Sequence, residues 1–212
     1  MYYPVNLDLR GKKCLVVGGG KVALQKVKGL LRGGAFPTVV APRLEGELLK
    51  LGSQRKIHLI RDRFRAKYLK NQFLAIVATD DREANSEIAA RCRRQNLLVN
   101  VVDQPADCTF TVPSVFRRGS LTIAIATNGA SPALSKKIRK DLEKLYGREF
   151  GEFVGLLAGL RKEVLRKIPS QSLRKKLFEK VIASDALFLI RKGKRHRARE
   201  RVREILFGGI AP

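Results

Sequence analysis

The sequence of 212 residues contains no tryptophan, one methionine, two histidines and three cysteines. Cys14, Cys92 and Cys108 lie far apart and in no metal-ligand spacing, and neither His58 nor His196 has a second ligand at a suitable distance along the chain. The sequence therefore predicts no metal site. An odd number of separated cysteines is also not typical of a disulfide framework, so we expect buried, reduced thiols.

Long apolar runs are absent as well. No run approaches the roughly 18 residues that a membrane-spanning helix needs. The first six residues lack the basic and then apolar order of a signal peptide. We therefore expect a cytoplasmic protein without membrane contact. Hydrophobic residues still make up 44% of the chain, which is enough for a buried core.

Acidic residues are scarce: 19 Asp and Glu stand against 44 Lys and Arg, which gives a formal net charge of +25. The basic residues are spread along the chain and are densest at 191–199. Such an excess implies an anionic partner or substrate. A solvated surface and non-specific nucleic-acid binding are the competing explanations, and the charge alone does not choose among the three.

The clearest motif is a glycine cluster behind a short apolar run. Residues 14–17 lead into Gly18-Gly19-Gly20, and apolar residues then repeat at helical spacing at positions 23, 27, 30 and 31. This pattern predicts a strand, a tight turn and a helix. In a dinucleotide-binding turn of the form G-x-G-x-x-A, Gly18 permits the turn and Gly20 has no Cβ to keep a pyrophosphate from the backbone. The helix N-terminus directs its N–H groups at the phosphates.

Apolar runs and helical patterns alternate up to about residue 102. This alternation predicts an α/β fold, a Rossmann-like doubly wound parallel sheet. Extended segments then flank Pro113, and past Gly147 the pattern is helical throughout. We predict a Rossmann domain at 1–112, a small mixed segment at 113–147 and a basic, all-helical domain at 148–212.

The end of the second predicted strand departs from the usual dinucleotide-binding pattern. That strand spans 37–41 and is followed by Pro42 and Arg43. An acidic residue usually stands near this point and bonds the ribose hydroxyls. Arg43 would instead pair with a 2′-phosphate or line the adenosine pocket.

Polar residues follow three other apolar runs. Thr79 and Asp80 come after the run at 73–78, where open α/β sheets bind their ligands, so both are candidate cofactor contacts. Asp80, with Glu83 three residues later, also has the pattern of a helix N-cap. Asp103 follows the run at 97–102 and has the alternative role of a turn residue. After the last strand, the loop at 128–130 leads to an N-cap at Ser131.

Four phrases occur in one order along the chain. They are Val-Val-Gly-Gly-Gly-Lys-Val-Ala at 16–23, Ala-Thr-Asp-Asp at 78–81, Asn-Val-Val-Asp at 100–103 and Thr-Asn-Gly-Ala-Ser-Pro-Ala-Leu at 127–134. Together they resemble the siroheme synthase amino-terminal family, the precorrin-2 dehydrogenases, some of which also act as sirohydrochlorin ferrochelatases. The resemblance covers residues 1 to about 150 in detail and the helical part more loosely. No methyltransferase region is present, as expected of the stand-alone form.

The resemblance implies NAD-dependent oxidation of precorrin-2 to sirohydrochlorin in siroheme, that is tetrapyrrole, biosynthesis. The substrate would be an anionic tetrapyrrole with many carboxylates, which gives the basic surface a purpose. The family also implies a homodimer, with the segment at 113–147 contributing to the interface and the substrate cleft. Insertion of iron or cobalt stays open, since the resemblance allows a chelatase activity that the residues do not demand.

The resemblance also assigns residues. Asp103 matches the aspartate of catalysis, with Asp107 as its neighbouring alternative. The cofactor contacts fall on Lys21 and Val22, beside Gly18 and Gly20, and on Pro42 and Arg43. The substrate-binding loop matches Thr127, Asn128, Gly129 and Ser131.

A second hypothesis belongs to another class: an NAD-sensing regulatory or nucleic-acid-binding protein with a basic helical tail. The apolar stripes of the tail argue against this reading. It would also leave the phrases at 100–103 and 127–134 without a purpose. We therefore expect no nucleic-acid partner.

Overall fold

The computed structural model describes residues 2–208. The chain divides into two compact units, Met1–Val112 and Pro113–Pro212, and each is described by itself. Within the second unit, the further boundary predicted after residue 147 stays a prediction.

The first unit is built on a five-stranded parallel sheet with the order β3-β2-β1-β4-β5. The strands are β1 (Lys13–Val17), β2 (Phe36–Val40), β3 (His58–Ile60), β4 (Leu74–Val77) and β5 (Leu98–Val101). The strands other than β3 are mostly apolar, with Lys13, Thr38 and Asn100 as the polar exceptions, because a parallel sheet covered by helices is buried on both faces. The predicted Rossmann-like doubly wound sheet is confirmed.

Helices cover both faces of this sheet. They are α1 (Lys21–Arg32), α2 (Gly46–Ser53) and α3 (Arg82–Arg94), with short 3₁₀ turns at Ala66–Leu69 and Pro105–Asp107. Side chains alternate along β1: Cys14 and Val16 pack in one core with α1 and α2, whereas Leu15 and Val17 pack in the other with α3. This alternation is what a strand buried on both faces requires.

The second unit joins a hairpin to a helical group. Strands β6 (Ser114–Arg118) and β7 (Leu121–Ile125) pair antiparallel. The helices are α4 (Pro132–Leu145), α5 (Arg148–Lys167), α6 (Gln171–Ala183), α7 (Ala186–Arg191) and α8 (Arg195–Phe207). α5 to α8 share one apolar core that contains Phe153, Val181 and Val202. Among residues 2–208, no helix is both long and apolar enough to cross a membrane.

Two local predictions were wrong. Asp80 is not the N-cap of α3: the cap is Asp81, whose Oδ1 accepts a hydrogen bond from the Ala84 backbone N–H at 3.0 Å. The reason is that β4 ends at Val77 and α3 begins at Arg82, which puts the capping position one residue later than the pattern suggested. Residues 108–112, expected as an extended strand, form none.

All three cysteines are free thiols; Cys14 and Cys92 are buried as predicted, whereas Cys108 is partly exposed. Cys14 and Cys92 are fully buried, and burial raises the pKa of each thiol to about 11. A thiol with so high a pKa carries almost no thiolate at neutral pH, which makes both groups unreactive.

Candidate active site

The glycine turn lies where the carboxyl ends of β1, β2 and β4 meet. Gly18 has a φ of +122°, and its N–H donates to the Val40 carbonyl at 2.9 Å. A Cβ on Gly18 would overlap the carbonyl of Ala78, and one on Gly19 would overlap that of Arg43. The turn is therefore packed tightly against the segments that follow β4 and β2. A residue larger than glycine does not fit at position 18 or 19.

Gly20 differs from its two neighbours, because a Cβ added there would meet no atom within 4 Å. Gly20 is the N-cap of α1 and provides no side-chain acceptor, and the first turn of α1 holds no acidic residue. The first-turn N–H groups thus have neither an intrahelical acceptor nor a capping side chain. Open space in front of an uncapped helix N-terminus fits a dinucleotide pyrophosphate.

A cleft of about 300 Å³ opens beside this turn, at the carboxyl ends of β4 and β5. Its lining brings together four residues that the sequence singled out: Val22, Thr79, Asp80 and Asp103. The remaining lining residues are Ala78, Arg82, Asn85, Val102 and Gln104. The lining does not include the other predicted cofactor contacts, which are Gly18, Gly20, Lys21, Pro42 and Arg43. A larger groove lies at the amino end of the sheet, away from the end at which parallel sheets bind nucleotides.

Asp103 stands directly after β5 with its side chain exposed at the cleft. Its φ is +58°, in the left-handed region that aspartate and asparagine tolerate better than other non-glycine residues. The backbone turns sharply at Asp103. This conformation is compatible with both roles predicted for the residue, a turn residue and a carboxylate at the cleft. A role in catalysis stays a prediction.

A network of polar side chains around the buried Asn85 supports the loop after β5. Asn85 on α3 is only 1% exposed, and its Nδ2 donates to the Thr79 carbonyl at 2.9 Å and to Gln104 Oε1 at 3.2 Å. Gln104 Nε2 in turn donates to Asp107 Oδ2 at 3.1 Å, and Ser86 Oγ donates to the same oxygen at 2.7 Å. The network ties the residues next to Asp103 to α3. The sequence offered one signal, a polar residue at a core-facing helical position, and that signal was missed.

Asp107, the alternative to Asp103 as the catalytic aspartate, is part of this network. The hydrogen bond from Ser86 lowers the pKa of the Asp107 carboxyl, and bonds from Arg93 and Gln104 act in the same direction. Asp107 therefore stays ionised and fixed by its partners, which favours Asp103 over Asp107 as the free carboxylate.

Lys26 is a second residue that the sequence did not single out. It lies on α1 one turn after Val22 and is half-buried. Burial lowers the pKa of its ammonium group, and the negative charge of Asp103 partly opposes that shift. Lys26 therefore brings a positive charge into electrostatic range of Asp103.

The segment after β2 lies beside the glycine turn. Pro42 and Arg43 are exposed, and the Glu45 backbone N–H donates to the Gly19 carbonyl at 2.8 Å. An acidic residue, Glu45, thus lies beside the glycine turn, two residues after Arg43, and the sequence analysis did not single it out.

The predicted substrate loop belongs to the second unit. Asn128 and Gly129 both have positive φ, and the Ala130 N–H donates to the Thr127 carbonyl at 2.9 Å, which makes a tight turn. Ser131 caps α4 as predicted, because its Oγ accepts from the Leu134 N–H at 3.1 Å. Hydrogen bonds thus hold both ends of the loop, and its contact with substrate stays a prediction.

No group of three or more His, Cys, Asp or Glu that could hold a metal ion occurs among residues 2–208.

Not every cation in the basic run at 191–199 is free to meet a ligand. Arg191 pairs with Glu149 at 3.1 Å and Arg195 with Glu152 at 2.6 Å, so part of the run is engaged within its own unit.

Three family models match the chain in succession. They are described as “Putative NAD(P)-binding” at residues 5–114, as the central region of a sirohaem biosynthesis protein at 118–145 and as the sirohaem synthase dimerisation region at 149–206. The first covers the unit that holds the glycine turn and the cleft. NAD(P) binding is thus indicated for the site at which the geometry provides for a pyrophosphate.

Curated relatives agree with these models. The siroheme synthase of Pseudoalteromonas translucida is 36% identical over 211 residues, which is 100% of this chain and 45% of that protein. The siroheme synthase of Methylococcus capsulatus is 37% identical over 193 residues, which is 91% of this chain and 41% of that protein. The chain therefore spans less than half the length of these relatives.

A solved structure matches at full length. It is titled SirC, precorrin-2 dehydrogenase, is 31% identical, and superposes with a TM-score of 0.79 over 96% of this chain and 100% of that one. Sequence, order of regions and fold thus agree, and the chain belongs to the siroheme synthase amino-terminal family of NAD(P)-binding proteins.

Proposed function

We propose that this chain is an NAD-dependent dehydrogenase that oxidises precorrin-2 to sirohydrochlorin in siroheme biosynthesis. The observation that carries the proposal is the match to a precorrin-2 dehydrogenase along that protein's entire length. The cleft beside the glycine turn, with Asp103 in its lining, supplies the chemistry.

The first requirement is to hold the dinucleotide. Gly18 and Gly19 keep the turn close to the sheet, and Gly20 leaves room for the pyrophosphate. Bound NAD supplies the hydride acceptor. Lys21, Val22, Pro42, Arg43, Thr79 and Asp80 complete the proposed cofactor contacts, with Val22, Thr79 and Asp80 in the lining of the cleft.

The second requirement is to accept a proton. The oxidation removes one hydride and one proton from the macrocycle, so that one double bond forms as two bonds to hydrogen break. Positive charge develops as the hydride leaves; the Asp103 carboxylate stabilises that charge and takes the proton on its oxygen. The network through Asn85 and Gln104 holds the loop that carries Asp103 in position.

The remaining assignments concern the second unit and the setting. We propose that Thr127, Asn128, Gly129 and Ser131 contact the tetrapyrrole, and that the chain acts as a homodimer in the cytoplasm. Exposed apolar side chains on this unit, among them Leu145, Ile182 and Phe188, support an interface between copies. Buried free thiols suit a reducing compartment.

The direct test supplies precorrin-2 and NAD to the purified chain and follows NADH absorbance together with the tetrapyrrole spectrum. We expect one NADH for each sirohydrochlorin formed, and no product without NAD. A chain that binds NAD, measured by calorimetry, but forms no NADH from precorrin-2 would contradict the proposal. Ferrous or cobaltous ion added afterwards tests chelation separately, and sedimentation measures the oligomeric state.

A further inference from the structure

A groove of about 850 Å³ lies at the amino end of the five-stranded sheet, opposite the dinucleotide turn. The first residues of β1 and β2, Lys13 and Phe36, form part of its wall, together with the whole of β3. The end of α2 and the segment around the 3₁₀ turn at Ala66–Leu69 complete it. The proposed function makes no use of this groove.

The groove is lined by cations without compensating acids. Its five Lys and Arg residues are Lys13, Arg55, Lys56, Lys67 and Lys70. No Asp or Glu lines the groove, and within the described part of the chain none of the five forms a salt bridge. Five exposed positive charges around one concave surface create a field that a multiply charged anion would neutralise.

The backbone at Arg55 gives a second, independent observation. Four helices end with the same two backbone hydrogen bonds. A residue of positive φ just past the helix donates its N–H to the carbonyl three residues earlier, and the next residue donates to the carbonyl five residues earlier. The residues of positive φ are Gly34 after α1, Arg55 after α2, Asn96 after α3 and Gly193 after α7. Glycine and asparagine are the residues that adopt this conformation readily. Arg55 alone carries a large side chain there, at a φ of +55°. A ligand of the groove would explain why arginine occupies this strained position, because Arg55 lines the groove.

The composition of the groove indicates the class of anion. Lysine binds phosphate as a point charge and arginine binds it through its planar fork, so four lysines and one arginine around one groove suit a chain of several phosphates. Phe36 is 64% exposed and adds an apolar surface on which a nucleotide base can stack. We propose that this groove binds a polyphosphate chain, either free or as the triphosphate of a nucleotide.

Arg55→Gly is the decisive variant, because it removes the cation and relieves the backbone at once. Calorimetric titration with inorganic tripolyphosphate at low ionic strength measures the effect. We expect Arg55→Gly to weaken binding roughly two- to fivefold, and the triple variant Arg55→Gly/Lys67→Ser/Lys70→Ser to weaken it roughly tenfold or more. The melting temperature of Arg55→Gly should be unchanged or higher, because glycine adopts positive φ freely.

Asn96→Gly is the matched control. It changes the same helix-end position of α3, away from the groove, and should leave tripolyphosphate affinity unchanged. Repeating the titrations with saturating NAD separates the groove from the glycine turn, since NAD should not displace the tripolyphosphate. Both controls report binding alone, so their outcome is independent of whether precorrin-2 is oxidised.

The variant Phe36→Ala distinguishes a free polyphosphate chain from the triphosphate of a nucleotide. If the ligand is a nucleotide, this variant weakens binding of ATP and leaves tripolyphosphate unaffected; if the chain binds alone, neither changes. Unaltered affinity in the Arg55 variants, or displacement by NAD, would overturn the proposal. It would also fail if a single-stranded oligonucleotide bound with an affinity that rises with its length, because the groove would then belong to a nucleic-acid surface.

Discussion

Asp103 is the residue at which backbone conformation and chemistry meet. Its positive φ places the side chain at the cleft and also limits which substitutions can test it. Alanine in the left-handed region would strain the loop, whereas asparagine tolerates the conformation. The structure therefore favours Asp103→Asn as the informative variant.

We predict that Asp103→Asn lowers dehydrogenase turnover by roughly 10² to 10⁴, the range for loss of a general acid or base, while the Kd for NAD changes little. Steady-state kinetics and calorimetry measure the two quantities. Asp80→Asn removes a carboxylate from the lining of the same cleft but at a proposed cofactor contact, so it should raise the Kd for NAD and leave turnover at saturating NAD nearly unchanged. Equal losses in both variants would mean that the charge of the cleft matters and not the position of Asp103.

We predict that Arg43 and Glu45 set the preference between NAD and NADP. A basic residue stabilises a 2′-phosphate and an acidic one bonds the ribose hydroxyls. We predict that the protein prefers NAD and that Glu45→Gln narrows this preference, whereas Arg43→Gln lowers the residual affinity for NADP. Dissociation constants for both cofactors measure this. Wild-type affinity for NADP tenfold above that for NAD would contradict the prediction and make Arg43 a phosphate ligand.

Among the elements, the glycine turn has two adjacent positions at which substitution should affect different properties: NAD affinity at Gly20 and stability of the fold at Gly19. Gly20→Ala adds a Cβ into open space, so we expect a nearly normal melting temperature and an NAD affinity lower by roughly tenfold. Gly19→Ala forces a Cβ against the Arg43 carbonyl and should cost about 1–3 kcal/mol of stability. A Gly20→Ala protein with unchanged NAD affinity would mean that the pyrophosphate lies elsewhere.

The loop after β5 has a pH dependence that follows from Asp107. Its pKa is lower in the folded protein than in the unfolded chain, so the folded state binds fewer protons in the acid range. The contribution of Asp107 to stability is therefore present above the ordinary carboxyl pKa and is lost as the pH falls through the lowered value.

We predict that amide exchange in β5 accelerates as the pH falls from about 5 to about 2, after correction for intrinsic rates, more in the wild type than in Asp107→Asn. Ser86→Ala removes the leading cause of the pKa shift and should reduce the pH dependence in part. Identical profiles in all three proteins would refute a role of Asp107 in holding the loop.

For the molecule as a whole, the net charge of +25 predicts a salt-dependent capture of substrate. Screening acts over about 8 Å at physiological ionic strength, so added salt should raise the KM for precorrin-2 and leave kcat nearly constant. Arg197→Ser/Arg199→Ser should mimic salt, because both residues are exposed and, within residues 2–208, neither forms a salt bridge. Arg195→Ser, whose partner is Glu152, serves as the control.

The competing explanation of the charge makes a different prediction. A nucleic-acid-binding tail would bind duplex DNA tightly with a steep salt slope, and the Arg197/Arg199 variant would lose that binding while oxidation continued. Kinetics independent of salt, together with strong duplex binding at physiological salt, would favour that explanation.

Local physics was enough to predict the Rossmann half from the sequence. An apolar run, a glycine cluster and a helical repeat are each read from neighbouring residues, so β1, the turn and α1 could be placed without tertiary information. The same holds for the cap at Ser131. Even the error at Asp80 is local, because it depends on the residue at which β4 ends.

Contacts between distant residues decided the rest. Asn85 meets Gln104 across 19 positions, and Arg195 meets Glu152 across 43, and no local pattern encodes such pairings. The basic groove likewise joins residues from Lys13 to Lys70 that are unremarkable one by one. The periodicity of a sequence specifies which face of an element is buried, whereas the partners of a polar side chain depend on which elements the fold brings beside it.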